Sequence, residues 1–274
     1  MLVYVMRLLV IAGACYAVAC VGLTFLQRHM IYIPIQVANK PEAFGLGGVD
    51  VVTLETPDGE RLETWVWKGL QEKPVIVYFH GNAGNLEDRY NTFQMFRKLG
   101  YGFIALDYRG YGNSTGFPAY RTLIDDALLV LDNTSSADEF AGRKMVLYGE
   151  SLGTGIATEV ATKRRVDGVI LQSPYTSIAE ATRERFPWLP VNLLLTERFS
   201  NVPQIAAINA PLLILHGDED ELFPVSMAQT IFDAASKPKT IEILRGLGHN
   251  DIYPEDMQDA VVSFIESNVM HFPG

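Results

Sequence analysis

The first thirty residues contain the longest apolar stretch of the chain. Residues 8–26 are 19 consecutive positions without a charge, preceded by Arg7 and followed by a polar cluster that begins at Gln27. At about 1.5 Å per residue, a helix of this length is roughly 28 Å long, close to the thickness of the bilayer hydrocarbon. A buried core helix is rarely apolar on every face. The pattern therefore predicts that residues 1–27 form a single-pass transmembrane anchor.

A cleaved signal segment is the alternative interpretation of residues 1–27. Ala17, Val18 and Ala19 resemble a small-residue cleavage site, and Cys20 directly after them gives a loose lipoprotein-type pattern. The apolar stretch continues past this site to residue 26, which favours an uncleaved anchor. Positive charges lie on both sides of the stretch, so the side of the membrane that holds the rest of the chain stays open.

Beyond the anchor, the pattern changes to short strand-like runs. Segments 48–55 and 60–67 alternate between apolar and polar positions and are joined by a Pro-Asp-Gly turn, which predicts an antiparallel hairpin at a sheet edge. Five short runs are apolar at successive positions, as expected of strands buried on both faces. They are residues 75–79, 103–106, 145–148, 168–171 and 212–215, and a further strand is predicted at 240–244.

Helical patterns separate these runs. Helices are predicted over residues 88–99, 119–133, from the turn after strand 145–148 through 163, 225–235 and 255–268. Residues 30–34 are expected to be an exit segment and 39–48 a loop. Strands that alternate with helices predict an α/β fold with a mostly parallel sheet of about eight strands, covered by helices on both faces. The connection between Ser173 and Ala210 is too long for an ordinary helix-to-strand loop, and it predicts a lid insertion over about residues 174–210.

Composition narrows the function classes. The net charge of −10 disfavours nucleic acid as a partner. The two cysteines, Cys15 and Cys20, both lie in the apolar stretch, so no disulfide and no thiolate metal site is expected in the remaining chain. No phosphate-loop pattern or zinc-type spacing of Cys and His occurs, and neither a cofactor nor a metal is predicted.

The strongest chemical signal is the pattern Gly-x-Ser-x-Gly at residues 149–153. It lies directly between a buried strand and a helix, where a sharp turn exposes the serine hydroxyl above the sheet. The same pattern occurs at residues 112–116, but Ser114 lies several residues beyond its strand, in a loop. We therefore predict that Ser151 is the nucleophile and Ser114 a loop residue.

A serine alcohol needs a base near neutrality, usually histidine. His29 flanks the anchor and His271 lies in the tail, while His80 and His216 each end a buried strand and are expected to support loops. His249 follows the last strand in a glycine-rich loop before the last helix, so it is the predicted base.

The acid that orients the imidazole and the donors that hold the oxyanion are predicted from two further loops. Residues 216–224 contain four carboxylates, and composition alone does not choose among them.

The glycine-rich loop 80–85 offers backbone amides. We expect the amide of Asn82 to pair with that of Leu152 as the oxyanion hole, although a plain β-turn would look the same.

Five motifs occur in order and jointly resemble a known family. They are His80-Gly-Asn-Ala-Gly-Asn85, Asp107-Tyr-Arg-Gly-Tyr-Gly-Asn-Ser114, Gly149-Glu-Ser-Leu-Gly153, His216-Gly-Asp-Glu-Asp-Glu-Leu-Phe-Pro224 and Gly248-His249. The chain resembles, over roughly residues 28–270, the α/β-hydrolase-domain proteins with an N-terminal membrane anchor, related to the bud-emergence-type proteins. The resemblance implies an α/β-hydrolase fold for residues 28–274 and Asp220 as the acid. We expect Asp107 and Arg109 to form salt bridges that support loops.

The resemblance also implies a reaction class. Many relatives are lysophospholipases, acylglycerol lipases or protein depalmitoylases, and this chain lacks the cysteine-rich N-terminus of the depalmitoylase branch. The expected substrate is a small acyl ester or thioester, of lipid-like character because the lid is rich in Phe, Trp and Leu. Two alternatives stay open: a serine peptidase, which uses the same residues, and a non-catalytic membrane-tethered binding module on the same fold.

Overall fold

Ten strands are present in the computed structural model, which describes residues 1–272. In chain order they are β1 Ile33–Pro34, β2 Asp50–Glu55, β3 Arg61–Trp67, β4 Val75–Phe79, β5 Ala83–Gly84, β6 Gly102–Leu106, β7 Met145–Glu150, β8 Gly168–Gln172, β9 Leu212–Gly217 and β10 Lys239–Leu244. Eight of them form one sheet in the order β10-β9-β8-β7-β4-β6-β3-β2. The hairpin β2–β3 is antiparallel and lies at one edge, where β3 also pairs antiparallel with β6. The remaining pairings, from β6 through β4, β7, β8 and β9 to β10, are all parallel.

Helices cover both faces of this sheet. In chain order they are α1 Leu2–Ile31, α2 Tyr90–Lys98, α3 Tyr120–Ser136, α4 Leu152–Lys163, α5 Ile178–Arg185, α6 Val191–Leu194, α7 Val202–Ile205, α8 Val225–Ala234 and α9 Pro254–Phe264. Side chains of α3, α4 and α8 pack on one face, and those of α2 and α9 on the other. The predicted α/β-hydrolase architecture is confirmed.

The buried strands explain this two-sided packing. Along β4, Val75, Val77 and Phe79 belong to one core cluster, and Ile76 and Tyr78 belong to the other. Successive strand residues point to opposite faces, so a run without polar residues is stable only when both faces are covered. Each aliphatic side chain buried in this way contributes about 1.5–3 kcal/mol.

Some element boundaries differ from the sequence prediction. Residues 30–31 are the end of α1 and not an exit segment, because the helix continues without a break to Ile31. The expected loop 39–48 contains a short 3-10 turn at Pro41–Phe44. A 3-10 turn at Leu86–Arg89 precedes α2, and the chain after α9 ends in a π-helical turn at Ile265–Val269.

Residues 173–210, here named the insertion, connect β8 to β9 and carry α5, α6 and α7. One face of α1 lies along this insertion. The hydroxyl of Tyr16 donates to the carbonyl of Trp188 (2.7 Å), and the side chain of Gln27 donates to the carbonyl of Leu194 and accepts from the amide of Thr196. The remaining surface of α1 is exposed and apolar, and by length and composition the helix could cross a membrane.

Candidate active site

Ser151 occupies a strained turn between β7 and α4. Its backbone has φ 49° and ψ −114°, a conformation that L-residues rarely adopt. Glycines make the turn possible: a Cβ on Gly149 would lie 2.5 Å from the carbonyl oxygen of Gly153, and a Cβ on Gly153 would overlap the carbonyl oxygen of Phe79. The strand, turn and helix therefore meet closely enough to hold the serine at the carboxyl edge of the sheet.

His249 lies within hydrogen-bonding distance of both Ser151 and Asp220. Its Nε2 is 2.8 Å from Oγ of Ser151, and its Nδ1 is 2.7 Å from Oδ2 of Asp220. With the proton on Nδ1 donated to the carboxylate, Nε2 is free to accept the hydroxyl proton of Ser151. The ring of Phe223 packs edge-on against the imidazole, with ring centres 5.0 Å apart. The three residues selected from the sequence thus come together at one point.

The carboxylate of Asp220 is buried and fully hydrogen-bonded. Its Oδ1 accepts the backbone amides of Leu222 (2.9 Å) and Phe223 (2.8 Å), which leaves Oδ2 for His249. Burial raises the pKa of Asp220, but the hydrogen bonds and charge interactions with His249 outweigh burial and hold the pKa below its ordinary value. The group is therefore a carboxylate at neutral pH, as an orienting acid requires.

Two neighbouring carboxylates have a different role, because they hold the loop that carries His249. Oδ1 of Asp218 accepts the amide of Gly246 (2.6 Å), and Oε2 of Glu221 lies 3.4 Å from the amide of His249. Both side chains bind backbone amides of the loop and not the imidazole. The acidic loop thus positions the glycine-rich loop as well as the histidine ring.

The end of α1 and the residues directly after it hold the loop that carries Asn82 in place. The side-chain amide of Asn82 donates to the carbonyl of Ile31 (2.7 Å). The backbone carbonyl of Asn82 accepts from the hydroxyl of Tyr111 (2.7 Å) and the amide of Ile33 (2.9 Å). Leu152 is the first residue of α4, so its N–H has no partner inside the helix. Asn82, Leu152 and Ser151 line one common cavity.

A largely buried ion pair braces the turn that carries Ser151, and the sequence analysis did not identify it. Glu150, the residue before Ser151, binds the guanidinium of Arg89 (Nη2–Oε1 2.8 Å) and accepts the hydroxyl of Tyr78. Burial raises the pKa of Glu150, but the charge and hydrogen bonds of Arg89 lower it to about 2. Arg89 also donates to the carbonyl of Ala83 (2.9 Å), so it ties the turn to the Asn82 loop. A glutamate at the end of a buried strand was the available signal, because such a charge needs a partner.

The motif at residues 107–114 supports loops. The guanidinium of Arg109 bridges Asp58 and Asp126, and Oγ of Ser114 donates to the carbonyl of Asp107 (2.8 Å) and accepts the amide of Glu63 (2.8 Å).

Asp107 does not form the salt bridge expected for it: within residues 1–272, no lysine or arginine lies within 4 Å of its carboxylate. It accepts the amide of Leu86 and lies 3.5 Å from Nε2 of His80. Burial raises the pKa of Asp107 well above its ordinary value and lowers the pKa of His80 to about 3, so it disfavours the charged form of both groups. His80 and His216 accordingly serve the loops around them: Nδ1 of His80 bonds the carbonyl of Gly81, and Nε2 of His216 bonds the carbonyl of Phe223.

Two cavities of different character meet at Ser151. One, of about 220 Å³, is mostly apolar and reaches towards the end of α1 and the insertion, with Ile31, Ile178, Phe186 and Phe223 in its walls. The other, of about 280 Å³, is polar and includes Arg89, Gln172 and Asn250. Within residues 1–272 no group of three or more His, Cys, Asp or Glu is arranged to hold a metal ion.

The sheet order and the serine turn define the class as an α/β hydrolase. Comparison with known proteins agrees with this class. Residues 71–202 match the Hydrolase_4 family model, described as serine aminopeptidase, S33. An uncharacterised protein of Mycobacterium tuberculosis is 33% identical over 246 residues, 87% of each chain. The α/β hydrolase domain-containing protein WAV2 of Arabidopsis thaliana is 30% identical over 241 residues, 79% of this chain and 76% of that one. The chain therefore belongs to the α/β hydrolase family.

Other similarities cover less or concern the fold alone. Lysophosphatidylserine lipase ABHD12 of Danio rerio is 30% identical over 244 residues, which are 74% of this chain and 63% of that protein. The crystal structure of the esterase Pf2001 of Pyrococcus furiosus superposes with a TM-score of 0.71 at 18% identity, over 87% of this chain and 98% of that one. The similarity to the Pf2001 structure shows a shared fold.

Proposed function

We propose that the protein is a serine hydrolase that cleaves carboxylic ester or thioester bonds, with Ser151 as nucleophile, His249 as base and Asp220 as orienting acid. The observation that carries the proposal is the continuous hydrogen-bonded chain from Oγ of Ser151 through both imidazole nitrogens to the buried carboxylate. Nucleophile, base and orienting group within hydrogen-bond reach are the geometric requirement for this chemistry.

The proposed reaction has two halves. Oγ of Ser151 attacks the acyl carbon and transfers its proton to Nε2 of His249, while the amides of Asn82 and Leu152 stabilise the negative charge on the acyl oxygen. The tetrahedral intermediate collapses, His249 protonates the leaving alcohol or thiol, and an acyl-enzyme forms. Water then attacks the acyl-enzyme with His249 again as base, which releases the carboxylic acid and restores Ser151.

The shape of the site favours an acyl substrate. The apolar cavity beside Ser151 has Arg185 as the one charged residue among its lining side chains, all of which belong to the described part of the chain. An acyl chain would bury apolar surface there, and each methylene removed from water contributes about 0.8 kcal/mol. The relative ABHD12 is named a lysophosphatidylserine lipase, which supports a lipid-like ester as substrate class.

Peptide hydrolysis is the second candidate, because the matching family model is described as serine aminopeptidase. An aminopeptidase must bind the ammonium group of its substrate, usually with a carboxylate. Among the described residues, no carboxylate lines the apolar cavity. Both carboxylates that line the polar cavity, Asp88 and Glu150, already lie within ion-pair distance of Arg89. The ester reaction is therefore favoured over the peptide reaction.

We further propose that residues 1–27 are an uncleaved single-pass anchor and that residues 28–274 form the hydrolase domain, with the insertion as its lid. Three observations support this: α1 has a window of mean hydropathy 2.3, it continues without interruption past the small residues at 17–20, and it packs against the insertion through Tyr16 and Gln27. A signal segment removed after Ala19 would lose the Tyr16 contact.

The test is labelling of the purified full-length protein in detergent with a fluorophosphonate, combined with turnover of p-nitrophenyl butyrate. We expect wild type and Ser114→Ala to be labelled and active, and Ser151→Ala to be neither. The thermal midpoint of Ser151→Ala should stay near that of wild type. An active Ser151→Ala protein would refute the assigned nucleophile, and an unlabelled, inactive wild type would favour the binding-module alternative. Turnover of aminoacyl p-nitroanilides above the ester rate would favour the peptidase.

A further inference from the structure

A second apolar cleft lies between the last two turns of α1 and the insertion. It measures about 220 Å³, and its lining is almost wholly apolar. Leu23, Gln27, Met30 and Ile31 come from α1, and Thr182, Phe186, Leu189, Val191, Leu194 and Leu195 from the insertion. The one amide in this wall, that of Gln27, is occupied by the backbone of Thr24, Leu194 and Thr196. The cleft therefore offers a ligand almost only apolar surface.

This cleft adjoins the apolar cavity at Ser151. Met30, Ile31, Thr182 and Phe186 line both spaces. Leu23 lies eight residues before Ile31, which corresponds to about 12 Å along the helix. A flexible, unbranched apolar group attached at Ser151 can thus follow the surface of α1 away from the site.

The insertion follows α1 to about the middle of its uncharged stretch. The hydroxyl of Tyr16 reaches the carbonyl of Trp188, and Tyr16 lies eleven residues before Gln27, about 16 Å farther along the helix. Tyr16 is near the middle of the uncharged residues 8–26. If these residues lie in the bilayer, the tip of the insertion lies beside them, and the side chain of Trp188, which is 59% exposed, faces hydrocarbon or the interface.

We propose that the cleft between α1 and the insertion is the acyl-chain site, that α1 forms one of its walls, and that the chain enters it sideways from the bilayer. The occupant is the acyl chain of a membrane lipid whose ester carbonyl reaches Ser151. This inference rests on the proposed esterase function and adds a second role to α1: the helix is part of the substrate site as well as the anchor. It requires the acyl chain and α1 to be in contact during turnover.

The direct test uses a fluorophosphonate with a hexadecyl chain that carries a diazirine near its far end. The full-length protein, reconstituted in phosphatidylcholine vesicles, is labelled, irradiated and digested, and the cross-linked peptides are identified by mass spectrometry. We expect labelling at Ser151 and cross-links to α1 around Leu23 and Met30 and to the insertion around Leu194. Labelling of Ser151 with cross-links only to the polar cavity, for example to Asn91 or Asn250, would refute the acyl site and leave the nucleophile intact. No labelling at Ser151 would refute the proposed function itself.

A pair of adjacent leucines provides the matched variants. Leu194 lines the cleft, whereas Leu193 is 85% exposed on the same short helix. We expect Leu194→Trp to fill the cleft, to lower kcat/KM for p-nitrophenyl palmitate about tenfold or more, and to keep the rate with p-nitrophenyl acetate within about twofold. Leu193→Trp should change neither rate. Equal rates of the two variants on the palmitate would contradict the proposal. Loss of the acetate rate in Leu194→Trp would indicate misfolding, and the cross-linking of wild type then decides.

Discussion

The carboxylate of Asp220 lies 2.7 Å from Nδ1 of His249, whereas Asp218, two residues earlier, binds the amide of Gly246. Only Asp220 can hold the imidazole in the tautomer that leaves Nε2 free. We therefore expect Asp220→Asn to lower kcat about 10,000-fold, as loss of the correct tautomer does in a serine protease of known mechanism. Asp218→Asn keeps a side-chain oxygen for Gly246 and should cost less than about tenfold. Steady-state turnover of a p-nitrophenyl ester measures both variants, and the reverse ranking would overturn the assignment of the acid.

The ion pair between Arg89 and Glu150 makes the free energy of unfolding depend on pH. Replacement of Arg89 is expected to reverse the direction of that dependence. In wild type, the pKa of Glu150 is about 2, below its ordinary value of 4.5. The contribution of Glu150 to stability is therefore present above pH 4.5 and is lost as pH falls towards 2. Arg89→Met leaves the carboxylate largely buried without its cation, which raises its pKa above 4.5. The folded variant then binds the extra proton, so its stability falls as pH rises.

We accordingly expect Arg89→Met to be destabilised by about 3 kcal/mol at pH 8, near the low end for a broken buried pair because Glu150 is partly solvent-accessible, and by less at pH 5. Urea midpoints of the full-length protein in detergent at the two pH values measure this difference. The double variant Arg89→Met with Glu150→Gln has no carboxylate at this position, and it should lose the added pH dependence. Equal destabilisation of Arg89→Met at pH 5 and pH 8 would show that Glu150 does not carry the effect.

The parts of the fold that follow from local pattern could be predicted from the sequence. The buried run at Val75–Phe79 and the serine between β7 and α4 are each specified within about ten residues, by periodicity and by glycines at the turn. Chain order then places His249 and the carboxylate loop at the same edge of a parallel sheet. The choice of Asp220 among four carboxylates needed the family resemblance, because spacing does not determine which side chain of a loop turns inward.

Contacts between distant segments could not be predicted in the same way. Arg89 and Glu150 are 61 positions apart, and Gln27 and Leu194 are 167 apart. The sequence of α1 alone does not indicate that its last turns line a cleft, because an apolar helix can present the same residues to lipid or to protein. The sequence does contain one sign: Gln27 is a polar residue directly after the uncharged stretch. In the structure its amide bonds Leu194 and Thr196 of the insertion as well as Thr24 of α1.

The second Gly-x-Ser-x-Gly pattern, at residues 112–116, tests whether the position of the serine in the fold, and not the motif itself, determines its role. Ser114 Oγ donates to the carbonyl of Asp107 and accepts the amide of Glu63, and its side chain is buried. We expect Ser114→Ala to lower the free energy of unfolding by about 1–3 kcal/mol, because a buried amide loses its acceptor, and to leave fluorophosphonate labelling unchanged. Chemical unfolding and labelling of the same preparation measure the two effects. Loss of labelling in a folded Ser114→Ala protein would contradict the structural role.

Gln27 links α1 to the insertion, so its loss should loosen the insertion without changing the residues around Ser151. Gln27→Leu keeps the side-chain volume but leaves the carbonyl of Leu194 and the amide of Thr196 without their partner, at a cost of about 1–3 kcal/mol each. If local opening of the insertion precedes proteolysis, we expect tryptic cleavage after Arg185 or Arg198 to be about tenfold faster or more than in wild type. His29→Leu, an exposed polar-to-apolar change two residues later on α1, is the matched control and should cleave at the wild-type rate. Equal cleavage of the two variants would mean that α1 does not hold the insertion, and it would weaken the case for α1 as a wall of the acyl-chain site.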